Sequence, residues 1–213
     1  MTRKVFWEDP YLTAHESVVT SVRGPEVTVA STIFYAFSGG QESDAGAFNG
    51  LPVLEARKDG LEIRYTLPED HGLEPGQAVR MEIDWARRYR LMRLHFAAEL
   101  VLELAGRLLP GIVKVGAHIA ETKARIDFQW PEPLTPCLPR LGEEARALVE
   151  ADTPIVSTFE DEANERRYWE VAGFARVPCG GTHLRRTGEV GALRLKRSNP
   201  GGGKERIEIY LGV

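Results

Sequence analysis

The 213-residue sequence is poor in cysteine and lacks a long apolar run. Its two cysteines, Cys137 and Cys179, exclude a disulfide framework as the means of stabilisation. Arginine or glutamate interrupts the longest apolar stretches well short of a membrane span, and the N-terminus lacks the apolar core of a signal peptide. We therefore expect a cytoplasmic protein without membrane association, in which the reducing compartment leaves Cys179 free to act as a thiolate.

A strong charge of either sign is also absent. The formal net charge is −4, and 43% of the residues are hydrophobic and 27% charged, as in ordinary soluble globular proteins. This balance argues against indiscriminate binding of nucleic acids, although it leaves room for a local basic surface. The length suffices for one large domain or two small ones with a packed core.

The hydrophobic pattern changes near Asp84. Before it, short strand-like runs alternate with turn signals, which predicts a small β-barrel. These runs are His15–Arg23, Glu26–Ser31, Val53–Arg57, Leu61–Thr66 and Val79–Ile83, with the hairpin signal Lys58-Asp59-Gly60 between the third and the fourth. From Asp84, a predicted N-cap, the apolar period becomes helical up to about Leu108, and Pro110-Gly111 ends the helix.

The rest of the sequence predicts further strands and a second helix. The strands are Lys114–Ala120, Lys123–Gln129, Ile155–Phe159, Gly191–Lys196 and Arg206–Leu211, and the helix runs from about Leu141 to Ala151. The charged stretch after Phe159 gives no clear prediction. Strands interleaved with two helices favour an α+β fold.

Two short segments each place two types of metal ligand four residues apart. His95 and Glu99 lie on the predicted long helix, where such residues share one face. Cys179 and His183 flank a Gly-Gly pair, which allows a tight loop to bring them towards one centre. One cysteine, two histidines and a carboxylate form a set that Zn²⁺ accepts. We therefore predict a zinc site, which a bound water would turn into a reaction centre.

Each of these signals has a simpler interpretation. A single histidine on an apolar helix face is usually a satisfied core residue, and a His–Glu pair at this spacing is often a surface pair. A carboxylate on the same buried face, however, is costly without a partner, so Glu99 favours a polar site. The Cys179–His183 loop alone fits a turn with a buried thiol, but a buried thiol needs no histidine nearby.

Two other features have less specific interpretations. The glycine-rich stretch 38–46 leads into a strand instead of a helix, which argues against a phosphate-binding loop, although its backbone N–H groups and the Gln41 amide are available to a ligand. Basic residues cluster at the start of the long helix and near the C-terminal strands, where they usually face solvent but are also placed to hold an anionic backbone. They are Arg87, Arg88, Arg90, Arg93, Arg185, Arg186, Arg194, Lys196, Arg197 and Lys204.

Five segments follow one another in a recognisable order over nearly the whole chain. They are Thr32-Ile-Phe-Tyr35 leading into Gly39-Gly40-Gln41, Met92-Arg-Leu-His95, Arg125-Ile-Asp127-Phe128, Cys179-Gly-Gly-Thr-His183 and Thr187-Gly-Glu189-Val-Gly191. Together they resemble the freestanding alanyl-tRNA editing proteins, the AlaX family. That family is similar to the editing domain of alanyl-tRNA synthetase and, more distantly, to that of threonyl-tRNA synthetase.

The resemblance implies a fold and an activity. The fold is a small N-terminal β-barrel, here residues 1–83, followed by an α+β editing domain, here residues 84–213, with a long helix packed on an antiparallel sheet. The activity is zinc-associated, ATP-independent hydrolysis of the ester in mischarged tRNA(Ala), chiefly seryl-tRNA(Ala) and secondarily glycyl-tRNA(Ala). The implied partner is the acceptor end of tRNA(Ala), and no obligate protein partner is implied.

Carried over position by position, the resemblance assigns roles to five residues. It makes His95, Cys179 and His183 metal-site residues, and it places Thr32 and Gln41 at the aminoacyl pocket. For the ester hydrolysis it implies, the backbone N–H groups of Gly180 and Gly181 are candidate donors to the developing oxyanion.

Two positions depart from the usual family pattern. The helix motif of the family has a second histidine where this sequence has Glu99, and a threonine where it has Phe96. Glutamate is an accepted zinc ligand, so Glu99 is either the fourth ligand or a general base, unless the site has lost its metal. Phe96 changes the polarity of the pocket and hence the choice of amino acid.

Two other functions are compatible with the same residues. One is a non-catalytic tRNA-binding module whose metal site is structural or lost. The other is a metalloesterase for another aminoacylated small molecule. Turnover of mischarged tRNA distinguishes the first alternative from an editing enzyme, whereas zinc content does not.

Overall fold

The computed structural model describes residues 1–212. The chain forms two compact units, of which residues 1–38 and 42–89 make up the first. Residues 39–41 and the chain from Arg90 onward make up the second. Among the described residues, no helix is both long and apolar enough to cross a membrane.

The first unit is built mainly from β-strands. They are β1 (Arg3–Lys4), β2 (Ala14–Arg23), β3 (Glu26–Val29), β4 (Ser31–Thr32), β5 (Gly46–Phe48), β6 (Leu51–Pro52), β7 (Glu55–Asp59), β8 (Glu62–Thr66) and β9 (Ala78–Ile83). Seven of them form one antiparallel sheet in the order β6-β5-β9-β2-β3-β8-β7, and β1 pairs with β4. Alternate residues of the sheet are buried, among them Val27, Tyr65 and Met81, and they form the core of this unit.

The predicted hairpin at Asp59-Gly60 is present, but its first strand begins later than predicted. Val53 lies outside β7, because its N–H bonds to Gly46 O instead of joining the β7–β8 ladder. Gly60 has φ +58°, a conformation that glycine adopts at little cost and that two-residue hairpin turns require.

The long helix α1 spans Trp85–Leu108, as the periodicity predicts. Asp84 Oδ1 accepts the Arg87 N–H at 3.0 Å, which confirms the predicted N-cap. The apolar stripe is buried, including Leu94, Phe96 and Leu100. The helix passes from the first unit to the second at Arg90.

The second unit contains two antiparallel sheets and a second helix. Its elements are β10 (Val113–Ile119), β11 (Ala124–Gln129), α2 (Leu138–Glu150), β12 (Ile155–Asp161), β13 (Arg166–Val171), β14 (Ala175–Pro178), β15 (Leu193–Gly201) and β16 (Lys204–Leu211). One sheet has the order β10-β11-β16-β15 and the other β12-β13-β14. The α+β fold class is therefore confirmed.

This unit contains two strands that were not predicted and a helix that begins earlier than predicted. The charged stretch without a prediction contains β13 and β14, and α2 begins at Leu138 instead of Leu141. Pro139 lies in the first turn of α2, where its missing N–H costs nothing.

Candidate metal centre

Three of the predicted metal ligands lie together in the second unit. His95 on α1 is 4% exposed and His183 is 3% exposed. Cys179, which directly follows β14, is a partly buried free thiol. One ligand atom from each of these residues lies within 4.8 Å of the other two. The fold thus brings the two short segments to one point.

The two imidazoles are held through their Nδ1 atoms. His95 Nδ1 lies 3.3 Å from Thr182 O, and because a carbonyl oxygen only accepts, Nδ1 carries the proton. His183 Nδ1 lies 2.7 Å from Ser157 Oγ. His95 Nε2 then faces Cys179 Sγ at 3.5 Å, whereas His183 Nε2 is buried and has no hydrogen-bond partner within residues 1–212. Histidines that ligate metals are typically oriented through their other nitrogen in this way.

Glu99 lies beside this cluster. Its Oε1 is 3.4 Å from His95 Nε2 and 3.8 Å from Cys179 Sγ. Its Oε2 accepts a hydrogen bond of 3.1 Å from Trp169 Nε1. One carboxylate oxygen therefore faces the cluster, while the other is bonded to the indole.

Burial and charge shift the pKa values of the cluster in opposite directions. Burial lowers the pKa of His95, but the charges and hydrogen bonds of Cys179 and Glu99 outweigh burial and raise it to about 10. Burial raises the pKa of Glu99, but His95 and Trp169 outweigh it and lower it to about 2. Burial and the charge of His95 hold the pKa of His183 well below its usual range. A neutral His183 keeps a lone pair for a ligand.

The loop between Cys179 and His183 approaches His95 closely. Cys179 N–H donates to Arg167 O at 2.9 Å, which joins the start of the loop to β13. A Cβ at Gly181 would lie 2.7 Å from His95 Nδ1, closer than real Cβ atoms come. Only glycine fits at this position without moving the imidazole.

Gln41 braces the same loop. Its Nε2 donates to Thr182 Oγ1 at 2.9 Å, and its Oε1 accepts the Thr182 N–H at 3.4 Å. The Gln41 backbone bridges to Ile119 of β10. Gly40 has φ +89° and lies so close to β10 that a Cβ would be 2.6 Å from Ala117 O. The glycine-rich stretch therefore lets the chain approach β10, and both ends of the Gln41 amide bond to Thr182.

Thr32 belongs to the first unit and is not among the residues brought together here. It is fully buried, its Oγ1 lies 2.6 Å from Tyr65 Oη, and it accepts the Phe34 N–H at 3.0 Å. Burial raises the pKa of Tyr65 above its ordinary value, so the phenol stays protonated and is able to donate to Thr32. The Thr32 hydroxyl is thus bonded within its own unit.

Several of the clustered basic residues have partners of their own. The ion pairs are Arg87–Glu42, Arg88–Asp44, Arg186–Asp152 and Arg197–Glu205. The Arg93 guanidinium donates to Val190 O at 3.0 Å, and Arg194 lies 4.7 Å from the centre of the Tyr210 ring. These contacts indicate structural roles, and a role in holding an anionic backbone stays a prediction.

The donor set fits a divalent transition metal. A thiol and two imidazoles converge, and one buried imidazole nitrogen has no partner within residues 1–212. A carboxylate oxygen lies next to two of these donors. Thiolate, imidazole and carboxylate are the ligands that Zn²⁺ takes in proteins, and such a cation would displace the proton from His95.

Comparison with known proteins shows the family. Residues 170–208 match the family described as the threonyl and alanyl tRNA synthetase second additional domain. Over 99% of its length, the chain is 33% identical to the alanyl-tRNA editing protein AlaX-M of Pyrococcus horikoshii, of which it covers 98%. The chain belongs to the alanyl-tRNA editing protein family.

Alanine–tRNA ligases are also similar to this member of the family. The chain is 32% identical to the ligase of Ignicoccus hospitalis and 31% identical to that of Aeropyrum pernix. It spans 26% of the length of each ligase.

Sequence reasoning missed three residues that orient the donors in this editing-protein chain. Ser157 holds His183, Trp169 holds Glu99, and the Thr182 carbonyl holds His95. Ser157 and Trp169 are directly opposed on β12 and β13. The only signal available was the period-two pattern of β13 inside a charged stretch, and such a pattern predicts a strand but not a role.

Proposed function

We propose that this protein hydrolyses the ester of mischarged tRNA(Ala) in trans, with seryl-tRNA(Ala) as the main substrate and glycyl-tRNA(Ala) as a second one. One observation carries the proposal: His95, Cys179 and His183 converge, with a buried His183 Nε2 that has no partner in the described chain, in a member of the alanyl-tRNA editing family. The partner is then the acceptor end of tRNA(Ala). A location in the cytoplasm follows from that substrate.

The residues that would hold a zinc ion are His95, Cys179 and His183, with Glu99 Oε1 as the proposed fourth donor. When bound, the ion supplies polarisation of the ester carbonyl or a lower pKa of a bound water. A thiolate and a carboxylate among the ligands make the ion less electrophilic than neutral imidazoles would. Positioning of the substrate by the protein therefore matters more in this site.

The remaining proposed roles belong to the protein. The backbone N–H groups of Gly180 and Gly181 are the proposed donors to the oxyanion that develops on the ester carbonyl. Gln41, at the proposed aminoacyl pocket, would act by holding Thr182, since both ends of its amide are bonded there. Thr32 is our proposed contact for the serine hydroxyl on the family resemblance alone, since its hydroxyl is bonded to Tyr65 and Phe34 in this structure. Residues 1–83 are proposed as the small barrel domain and residues 84–213 as the editing domain.

The substrate preference tests this proposal. A pocket that bonds the serine hydroxyl discriminates against alanine, because alanine leaves the polar groups of the site unpaired. We expect hydrolysis of seryl-tRNA(Ala) while alanyl-tRNA(Ala) is spared, measured as release of labelled amino acid. Equal rates on both substrates, or no hydrolysis of either, would contradict the assignment.

One observation favours a second function, that of a tRNA-binding module with a structural zinc. Structural zinc sites have four protein ligands and no open position, and Glu99 brings the number of neighbouring donors to four. On this alternative, the protein binds tRNA(Ala) and about one zinc ion per chain but does not release serine from seryl-tRNA(Ala).

Substitutions of Glu99 separate its two roles. If Glu99 is a ligand, the Glu99→Ala variant should contain less zinc than the wild type. Full zinc content in this variant would show that Glu99 is not a ligand. Glu99→His restores the usual family residue and removes one negative charge beside the metal. At a zinc concentration that saturates the variant, hydrolysis then holds or rises if Glu99 is only a ligand, and falls roughly 10²- to 10⁴-fold if Glu99 is the general base.

A further inference from the structure

The Glu99 carboxylate has a partner on the neighbouring sheet that the proposed function does not use. Trp169 on β13 is fully buried, and its Nε1 donates to Glu99 Oε2 at 3.1 Å. An indole has one donor and no acceptor, so the direction of this hydrogen bond is certain. The other oxygen of the same carboxylate, Oε1, is the one that faces His95 and Cys179.

The Glu99 carboxylate and the Trp169 indole each provide the hydrogen-bond partner that the other requires when buried. A carboxylate that is largely removed from water is costly unless it is paired and hydrogen-bonded, and a buried indole N–H usually finds an acceptor. The bond also fixes the carboxylate in rotation, since a donor on Oε2 leaves Oε1 to point the other way. A contact to one oxygen therefore determines where the second oxygen lies.

The indole itself is held by packing. The Phe96 ring meets it edge to face, with centroids 5.1 Å apart, and the Phe174 ring stacks on it at 6.4 Å. Its opposite neighbour across the β12–β13 ladder is Ser157, which bonds His183. This pair of strands thus presents two adjacent polar groups to two of the donors.

We propose that Trp169 is a positioning residue that makes the carboxylate at position 99 a usable metal ligand, and that it acts only through that carboxylate. The inference rests on the proposed zinc site and deepens it. Partners of this kind typically change metal affinity by about 10- to 100-fold when they are removed.

The Trp169 N–H should have the opposite effect on histidine, the usual family residue at position 99. A histidine that ligates a metal through one nitrogen carries a proton on the other. In a Glu99→His variant, the indole N–H would therefore face a second donor instead of an acceptor. The Trp169 N–H, which stabilises a glutamate ligand at position 99, should therefore weaken metal binding by a histidine at the same position.

Zinc affinity in four proteins tests this: the wild type, Trp169→Phe, Glu99→His and the double variant. Phenylalanine keeps a ring in the aromatic cluster and removes the N–H. Competition with a chromophoric chelator should show roughly 10- to 100-fold weaker zinc binding for Trp169→Phe in the glutamate background. In the histidine background the same change should leave the affinity unchanged or tighten it.

Trp130→Phe is the matched control, since Trp130 follows β11 in the same unit, and it should leave zinc affinity unchanged in both backgrounds. An equal loss for Trp169→Phe in both backgrounds would show a packing effect and overturn the proposal, as would no loss in the glutamate background. A wild type that binds no zinc would overturn it too. Failure of the proposed function appears separately, as zinc binding without hydrolysis of seryl-tRNA(Ala).

Discussion

Two buried polar clusters include residues of the same helix, and they differ in whether their hydrogen bonds are complete. Arg88 is fully buried, and its guanidinium donates to both oxygens of Asp44, at 2.8 and 2.5 Å, and to Ile33 O and Pro10 O. Asp44 also accepts the Tyr35 N–H at 2.6 Å. In this cluster of the first unit, the Arg88 guanidinium and both carboxylate oxygens of Asp44 have hydrogen-bond partners.

The second cluster, around His95 in the second unit, is different. His95, His183 and Glu99 are each oriented by a partner outside the cluster, yet His183 Nε2 faces no partner within residues 1–212. The distance from His95 Nε2 to Glu99 Oε1, 3.4 Å, is longer than the bonds from Arg88 to Asp44, and Cys179 Sγ lies 3.5 Å from His95 Nε2 and 3.8 Å from Glu99 Oε1.

The difference distinguishes a stabilising cluster from a candidate binding site. A buried ion pair with all its hydrogen bonds made has nothing left to offer a ligand, and removing one member leaves a costly unpaired charge. A set of oriented donors that is incomplete is suited to a ligand that completes it. Substitutions in the two clusters should therefore affect different properties.

The largest expected effect is on stability, from Arg88→Met. The change leaves Asp44 as a buried charge without its partner, so we expect the free energy of unfolding to fall by about 3–5 kcal/mol, measured by urea denaturation. Arg87→Met is the matched control, because its pair with Glu42 is more exposed, and it should cost about 1 kcal/mol or less. Similar losses for the two variants would show that the Arg88 cluster is not a stabilising one.

A smaller effect, on zinc binding, is expected from Gly181→Ala. Because the new Cβ would lie 2.7 Å from His95 Nδ1, the imidazole must move, and we expect zinc affinity to fall roughly 10- to 100-fold by chelator competition. Gly106→Ala serves as control, since nothing lies within 4 Å of a Cβ there. It should leave zinc affinity unchanged and stabilise α1 by up to about 1 kcal/mol. Unchanged affinity in Gly181→Ala would mean that the loop does not set the position of His95.

The smallest effect is expected from a third, more exposed cluster in which Asp127 pairs with Arg125 and Arg206. Burial raises the pKa of Asp127, but the two arginines outweigh it and lower the pKa below its ordinary value. The stabilisation of the folded protein by ionised Asp127 is therefore fully present above the pKa that Asp127 has in the unfolded state. It is lost as the pH falls through the lower pKa that Asp127 has in the folded state.

Replacing Asp127 with Asn should remove this pH-dependent part of the free energy of unfolding, which for partly exposed pairs is at most about 1 kcal/mol. Thermal unfolding between pH 2 and pH 7 measures it, and the curve for the variant should be flatter at the acid end. An Asp127→Asn curve parallel to that of the wild type would show that the cluster contributes no pH-dependent stability.

The features predictable from the sequence are those with a local cause. The bounds of α1 follow from its apolar period and from Asp84 at its N-terminus, and the convergence of His95 with Cys179 and His183 was predicted from residue types and spacing. Closure of the first sheet into a small barrel stays a prediction.

The partners that orient the donors were not predictable, because they depend on strand pairing between distant segments. Ser157 and Trp169 act on His183 and Glu99 through the register of β12 and β13. The strand β13 itself was not predicted, because charged residues interrupt its apolar pattern. The convergence of the donors could therefore be predicted from residue types and spacing, but the residues that orient them required the fold.

Restoring zinc to metal-free protein tests the central claim most directly, that the incomplete cluster is a metal-dependent hydrolytic centre. We expect release of serine from seryl-tRNA(Ala) to rise with added zinc and to level off at about one ion per chain. His183→Ala should show no such rise at the same zinc concentrations, while its fold remains intact by circular dichroism. Full turnover by wild-type protein shown by elemental analysis to be free of metal would contradict the account.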